Sequence, residues 1–319
     1  MPNGMLNDFV SIDPNKFQDP ILTAKGEKRA VVALTKLQTL WFNTGSLCNI
    51  TCVNCYMDSS PKNDDLAHLS LNDVTPYLDE IKAEGFGVEE IAFTGGEPFM
   101  NPNLIAMLDQ VLSRGFKALV LTNAMKPMSH KREVLLNLQK RFGSELSIRV
   151  SMDHYSKKRH EQERGPNTWA PMIDGLKWLS NNDFNLAVAG RTCWGETDAL
   201  ARAGYATLFD KENISIDAHL PVSLVLFPEM DAKSDVPEIT VSCWEILGVA
   251  PEKMMCATSR MIVKRRGADR PVVVPCTLLP YDTRFELGHK LAQSAKNVHL
   301  NHPHCAKFCV LGGASCSVD

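Results

Sequence analysis

Ten cysteines in a 319-residue chain are the residues with the most chemistry to offer, and their spacing is uneven. Cys48, Cys52 and Cys55 sit within the single stretch CNITCVNCY. Thiolates are soft ligands that select zinc, copper(I) or iron–sulfur clusters. Three sulfurs on one short loop can hold three irons of a [4Fe–4S] cube and leave the fourth iron without a protein ligand. That open corner makes a cluster reactive instead of merely electron-carrying. Structural zinc prefers four ligands and paired Cys-x2-Cys knuckles, and no fourth ligand lies near this loop, although zinc remains the alternative on spacing alone.

The stretch Phe93-Thr94-Gly95-Gly96-Glu97-Pro98 is the second candidate. Two glycines let backbone approach a ligand closely, and Glu97 offers a negative acceptor to an ammonium group. In isolation the same residues also make an ordinary strand-to-helix turn.

The elements that must position these residues follow from apolar spacing. Strands are predicted over 37–43, 90–94, 118–122, 146–152, 186–192 and 219–227, and helices over 71–84, 103–114, 131–141 and 171–181. Ser70 caps the first helix, and Gly85 and Gly115 stop the first two. Alternating strand and helix means βαβ units and a parallel sheet, which binds ligands at the C-terminal ends of its strands. Both the cysteine loop and the GGEP stretch fall there. The expected fold class is α/β, a partial (β/α)6 TIM-like barrel over residues 40–235. An N-terminal extension (1–39) precedes it, and a small cysteine-rich domain (236–319) follows a boundary marked by Pro228, Pro237 and the polar stretch DAKSDVPE. The stretch MIVKRRGADRPVVV beyond that boundary reads as hairpin-like.

Composition narrows the function classes. With 44% apolar and 22% charged residues the chain is globular, and a net charge of −3 gives no general attraction to nucleic acid or anionic membrane. The short basic runs 157–159 and 264–266 read as solvated faces. No apolar run reaches membrane-spanning length and no export signal opens the chain, so a cytoplasmic location is expected and clustered cysteines point to metal instead of disulfides.

Taken together, CNITCVNCYM and FTGGEP resemble the cluster loop and methionine-binding strand end of the radical S-adenosylmethionine superfamily. Leu121-Thr122-Asn123-Ala124 resembles that family's TNG, with alanine in place of glycine, and Val150-Ser151-Met152-Asp153 resembles its SLD. His160, Arg164 and Gly165 resemble its H…RG segment. The resemblance spans residues 40–228. It implies S-adenosylmethionine and a [4Fe–4S] cluster on Cys48, Cys52 and Cys55, reductive cleavage to a 5′-deoxyadenosyl radical, and hydrogen abstraction from a substrate. Cofactor contacts are then expected from Gly95, Gly96, Glu97, Asn123, Ser151 and Arg191. Asn54 stands where many members place an aromatic residue or histidine, and Tyr56 follows the third cysteine as the candidate for adenine. Cys193, at the end of the fifth strand, is a candidate hydrogen donor or an ordinary buried thiol.

Cys256, Gly267 and Cys276, followed by Cys305, Cys309 and Cys316, resemble the SPASM and twitch domains that bind auxiliary clusters in this superfamily. Five cysteines are too few for two fully ligated clusters. One auxiliary [4Fe–4S] cluster is the economical expectation, on Cys256, Cys276, Cys305 and Cys309, with Cys316 able to replace one of them and one of the five spare. Zinc is the alternative, because His299, His302 and His304 lie alongside. The implied partners are a one-electron donor such as flavodoxin or ferredoxin and either a small molecule or a peptide side chain as substrate. Residues 1–39 are too short for a winged-helix leader-binding domain, which leans towards a small substrate or a peptide lacking such a leader. The competing class is a non-catalytic iron–sulfur or zinc protein acting as a redox sensor or assembly partner.

Overall fold

A computed structural model describes residues 11–228 and 234–316. The first ten residues, part of the expected domain boundary (229–233) and the last three residues lie outside it. The strands are β1 (Val31–Val32), β2 (Thr39–Asn43), β3 (Glu90–Thr94), β4 (Lys117–Thr122), β5 (Leu146–Ser151), β6 (Asn185–Arg191), β7 (Leu224–Phe227), β8 (Ser259–Val263), β9 (Val272–Val274) and β10 (Val298–His299). The helices are α1 (Leu71–Glu84), α2 (Leu104–Ser113), α3 (Lys126–Ser129), α4 (Arg132–Phe142), α5 (Lys157–Arg164), α6 (Trp169–Ser180), α7 (Asp198–Glu212), α8 (Cys243–Leu247) and α9 (Met255–Thr258). None is long and apolar enough to cross a membrane.

Eight strands form one sheet in the order β7-β6-β5-β4-β3-β2-β8-β9. Strands β2 to β7 lie in chain order, each parallel to the next. This is the expected partial TIM-like barrel. The sheet does not end with the barrel strands. β8 pairs parallel with β2, Thr39 opposite Ser259, and turns back antiparallel into β9. The hairpin-like stretch is therefore a hairpin, and it extends the barrel's own sheet.

Alternation along the strands sorts side chains into two layers. Leu40, Phe42, Ile91, Phe93, Val120 and Ile148 face outward and pack under helices such as α1, through Val74, Leu78 and Ile81, and α2, through Leu104, Met107 and Leu108. Ser70 opens α1 in a capping box with Asp73, and Gly85 ends it in the left-handed region at φ 68°. Trp41, Ala92, Leu119, Ala189 and Phe227 face inward, into a second core that holds Phe17, Ala30 and Val32 of the extension with Cys256, Phe308 and Val310 of the C-terminal segment. Chain from both ends fills the concave side, where small Ala92 and Ala189 leave it room.

Five helices were not expected, the short α3, α8 and α9 and the longer α5 and α7. α7 buries only Ala201, Tyr205, Leu208 and Phe209. α5 buries no apolar residue at all, only His160 and Glu163, and the run 157–159 read as a solvated face is its first turn. The last barrel strand is shorter than expected, because residues 220–223 form a turn closed by Ser223 N–H donating to Leu220 O.

The N-terminal extension is fastened by Arg29. Its guanidinium donates to Asp19 O, Leu22 O and Leu300 O and pairs with Glu238 at 2.6 Å, with side-chain exposures of 0% and 6%. Removing one partner of a buried pair strands the other. Arg29→Ala should lower stability by about 3–5 kcal/mol in urea denaturation, and an unmoved midpoint would show that the extension is not held there.

Candidate functional site

The site begins with flush strand ends. β2 and β3 pair in parallel with Asn43 opposite Thr94, so the loops that follow leave the sheet side by side. Thr44 N–H and its hydroxyl both donate to Thr94 O, Gly96 N–H donates to Gly45 O at 2.8 Å, and Glu97 N–H donates to Leu47 O at 3.0 Å. Side chains would forbid this. Gly95 adopts φ 146°, and a Cβ on it would lie 2.5 Å from Gly45 O. A Cβ on Gly96 would overlap the Leu47 carbonyl. The close approach that the glycines permit is thus first of all to the chain itself: they bolt the cysteine loop to the end of β3.

Glu97 extends the bolt to β4. Its carboxylate accepts from Phe99 N–H, Thr122 Oγ1–H and Asn123 N–H at 3.1, 2.8 and 2.9 Å. A carboxylate has about four lone-pair sites, so these donors occupy most of them, and Glu97 does not line the adjacent cavity. Burial pushes its carboxyl up to about 7 against those donors.

That cavity is walled by Cys48, Cys52 and Cys55 together with Gly95, Gly96, Asn123, Ser151, Arg191 and Tyr56. The expected contact residues therefore share one space, with Glu97 just behind it. Asn123 Nδ2–H donates to Asn49 Oδ1 at 2.9 Å and lies 3.9 Å from the Cys48 sulfur. Ala124 sits at φ 56°, the left-handed region that accounts for glycine in the motif it resembles. Cys193 is absent from the lining. Burial pushes the Cys48 thiol up to about 12 and Cys52 up to about 11. These sulfurs are neutral until a metal takes the proton's place.

The residues not expected at the site arrive largely through α5. Arg164 grips Asp153 with two bonds of 3.0 Å, and both line the cavity. The Arg164 charge also faces Cys52 and Cys55. Glu163 takes Arg191 at 2.9 Å and Asn54 at 3.3 Å, while its carbonyl accepts from Val53 N–H. The sequence signals were the motif residues Asp153, His160, Arg164 and Gly165, with none for the helix itself. Charge, not apolar spacing, seats this helix on the cysteine loop.

The C-terminal cysteines divide between two places. Cys256, Cys276, Cys305 and Cys309 line a separate hollow whose other walls include Met254, Met255, Leu278, Leu279, Leu300 and His304. Cys305 and Cys309 lie four apart on a π-helical turn, Cys305–Val310. Arg260, fully buried, donates to Cys256 O at 2.6 Å, and its charge faces Cys256 and Cys276. Four soft donors in an apolar sheath beside a buried cation suit an anionic iron–sulfur centre. His299 is carried on β10, and His302 meets Phe285 edge-on and lies tilted against His304. Cys316 lines the first cavity instead.

Residues 42–198, just under half of the chain, match the Radical SAM superfamily model. Its members use a [4Fe–4S] cluster and S-adenosylmethionine. Two curated proteins are similar. The antilisterial bacteriocin subtilosin biosynthesis protein AlbA of Bacillus subtilis is 31% identical over 44% of this chain and 30% of its own length. An S-adenosylmethionine-dependent nucleotide dehydratase of Selenomonas ruminantium is 30% identical over 26% of this chain and 29% of its own length. The chain spans about three-tenths of each. The crystal structure of Streptococcus suis SuiB bound to S-adenosylmethionine has the same fold, at TM-score 0.58 and 12% identity over 80% of this chain and 63% of that one. SuiB bound to its precursor peptide SuiA aligns at 0.57, with the same identity and coverage.

If the glycines hold the cysteine loop, Gly96→Ala should cost the protein about four irons although no ligand is changed. Iron analysis after anaerobic reconstitution reads this directly, and full iron content would show that the close approach is dispensable.

Proposed function

We propose that this chain is a radical S-adenosylmethionine enzyme with one auxiliary cluster, acting on a peptide side chain. The observation that carries the reading is the shared cavity, in which Cys48, Cys52 and Cys55 face Gly95, Gly96 and the ends of β4, β5 and β6. With cluster and S-adenosylmethionine in place, one electron from a flavodoxin- or ferredoxin-type donor yields a 5′-deoxyadenosyl radical that abstracts hydrogen from the substrate. The protein's part is to bind, orient and exclude water. Three thiolates hold three irons. The Gly95–Gly96 edge receives the ammonium, with Glu97 behind it, and Arg191 receives the carboxylate. Ser151 and Asn123 take the ribose, and Tyr56 takes adenine. Cys256, Cys276, Cys305 and Cys309 ligate the auxiliary cluster and leave Cys316 spare.

A peptide substrate is favoured by AlbA, named for bacteriocin biosynthesis, and by SuiB, crystallised with a precursor peptide. A nucleotide is the second reading, favoured by the dehydratase relative.

Replacing Cys48, Cys52 and Cys55 together with alanine should remove about four irons and all 5′-deoxyadenosine formation, while the auxiliary signal persists. Replacing Cys305 and Cys309 should remove the other set. Unchanged iron in the triple variant would contradict the ligand assignment. A fully loaded parent protein that forms no 5′-deoxyadenosine would favour the non-catalytic class.

A further inference from the structure

Arg260, on β8, is fully buried at 0% exposure. Its guanidinium donates to Cys256 O at 2.6 Å, Ser259 O at 2.8 Å, Ser294 O at 3.0 Å and Lys296 O at 3.4 Å. Every acceptor is a backbone carbonyl, so the N–H groups find partners while the charge is not cancelled. Three other arginines near the cysteines have a carboxylate of their own. Arg164 holds Asp153 and Arg191 holds Glu163 at the first cavity, and Arg29, whose charge reaches Cys305, holds Glu238. Among the described residues no carboxylate pairs with Arg260. The groups whose charge acts on it are Cys256 and Cys276, part of the apolar hollow that Cys305 and Cys309 complete. A lone cation in a low-dielectric interior is costly unless an anion sits beside it.

We propose that Arg260 is the counter-ion of the auxiliary cluster and favours its reduced form. The proposal rests on the reading of the hollow as the site of that cluster. Four thiolates around an oxidised [4Fe–4S] core make an anionic centre, and one added electron deepens its charge. A fixed guanidinium attracts the reduced state more strongly than the oxidised one, and an apolar interior screens that attraction little. At the first cavity the Arg164–Asp153 and Arg191–Glu163 pairs cancel internally. The hollow instead has an uncancelled guanidinium to balance its sulfurs.

The test is a dithionite titration of the reconstituted protein with redox mediators, followed by electron paramagnetic resonance. Added S-adenosylmethionine marks the open cluster, and the parent is compared with Arg260→Gln and Arg260→Lys. At the parent's midpoint, Arg260→Gln should lower the reduced-to-oxidised ratio of the auxiliary cluster at least about tenfold, a shift of about 59 mV for one electron. The open cluster should stay where it is. Arg260→Lys keeps the charge and loses the fork, and its ratio should stay within about threefold of the parent's. Should Arg260→Gln fold by circular dichroism without loading the auxiliary irons, loading of Arg260→Lys supports the same role. An unmoved auxiliary midpoint in Arg260→Gln would overturn the proposal. So would an Arg260→Lys variant that falls as far, or fails as completely, since the bonds to carbonyls and not the charge would then matter. A parent that loads only the open cluster fails at the earlier step, refuting the reading of the hollow and this proposal with it.

Discussion

The arrangement depends on one backbone contact. Two parallel strands end in register, and the chain leaving β3 lies so close to the chain leaving β2 that only glycine fits at 95 and 96. Hydrogen bonds from Gly96 and Glu97 to Gly45 and Leu47 make the two loops a single piece. The cysteines grow out of that piece. A loop with three thiols would otherwise have no fixed direction, and sulfurs that must hold a cubane need theirs set in advance. Glu97 then passes the constraint to β4 and Asn123 returns it to the cysteine loop, closing a ring of bonds around the cavity floor.

Around this ring the barrel interior is charged where most cores are apolar. Asp153 and Arg191 at the strand ends pair with Arg164 and Glu163 of α5, while Arg149 and Arg260 lie deeper. Buried ion pairs are weak evidence of stability because desolvation offsets much of their attraction. Their placement says more. Arg164 faces Cys52 and Cys55, Arg260 faces Cys256 and Cys276, and Arg149 faces Cys316 and Glu90. Each of the two cysteine sets thus has a guanidinium beside part of it, which suits sulfur that turns anionic on binding a metal in a low-dielectric interior.

Local chemistry was legible in the sequence, and long-range pairing was not. β3 and α1 lie where apolar spacing and the Ser70–Gly85 pair put them, because their burial is periodic. α5 gave no such signal. Its residues KKRHEQER seat it by salt bridges to Asp153 and Arg191, which spacing does not encode. The membership of β8 in the barrel sheet depends on pairing with Thr39–Phe42 over 200 residues earlier in the chain, a contact that no local pattern announces. In the site, residue types and order pointed to the right loops. They preferred four of the late cysteines for the second centre but did not place Cys316 at the first cavity, since the spacing of late cysteines says nothing about which cavity each one faces.

The central claim is that two sulfur sets do different work, one open to S-adenosylmethionine and one closed by four protein thiols. Electron paramagnetic resonance of the reconstituted, dithionite-reduced protein, titrated with S-adenosylmethionine, tests it most directly. The account predicts two [4Fe–4S] signals, of which one shifts as the ligand is added and the other stays fixed. Two signals that both ignore S-adenosylmethionine, or a single signal throughout, would contradict it.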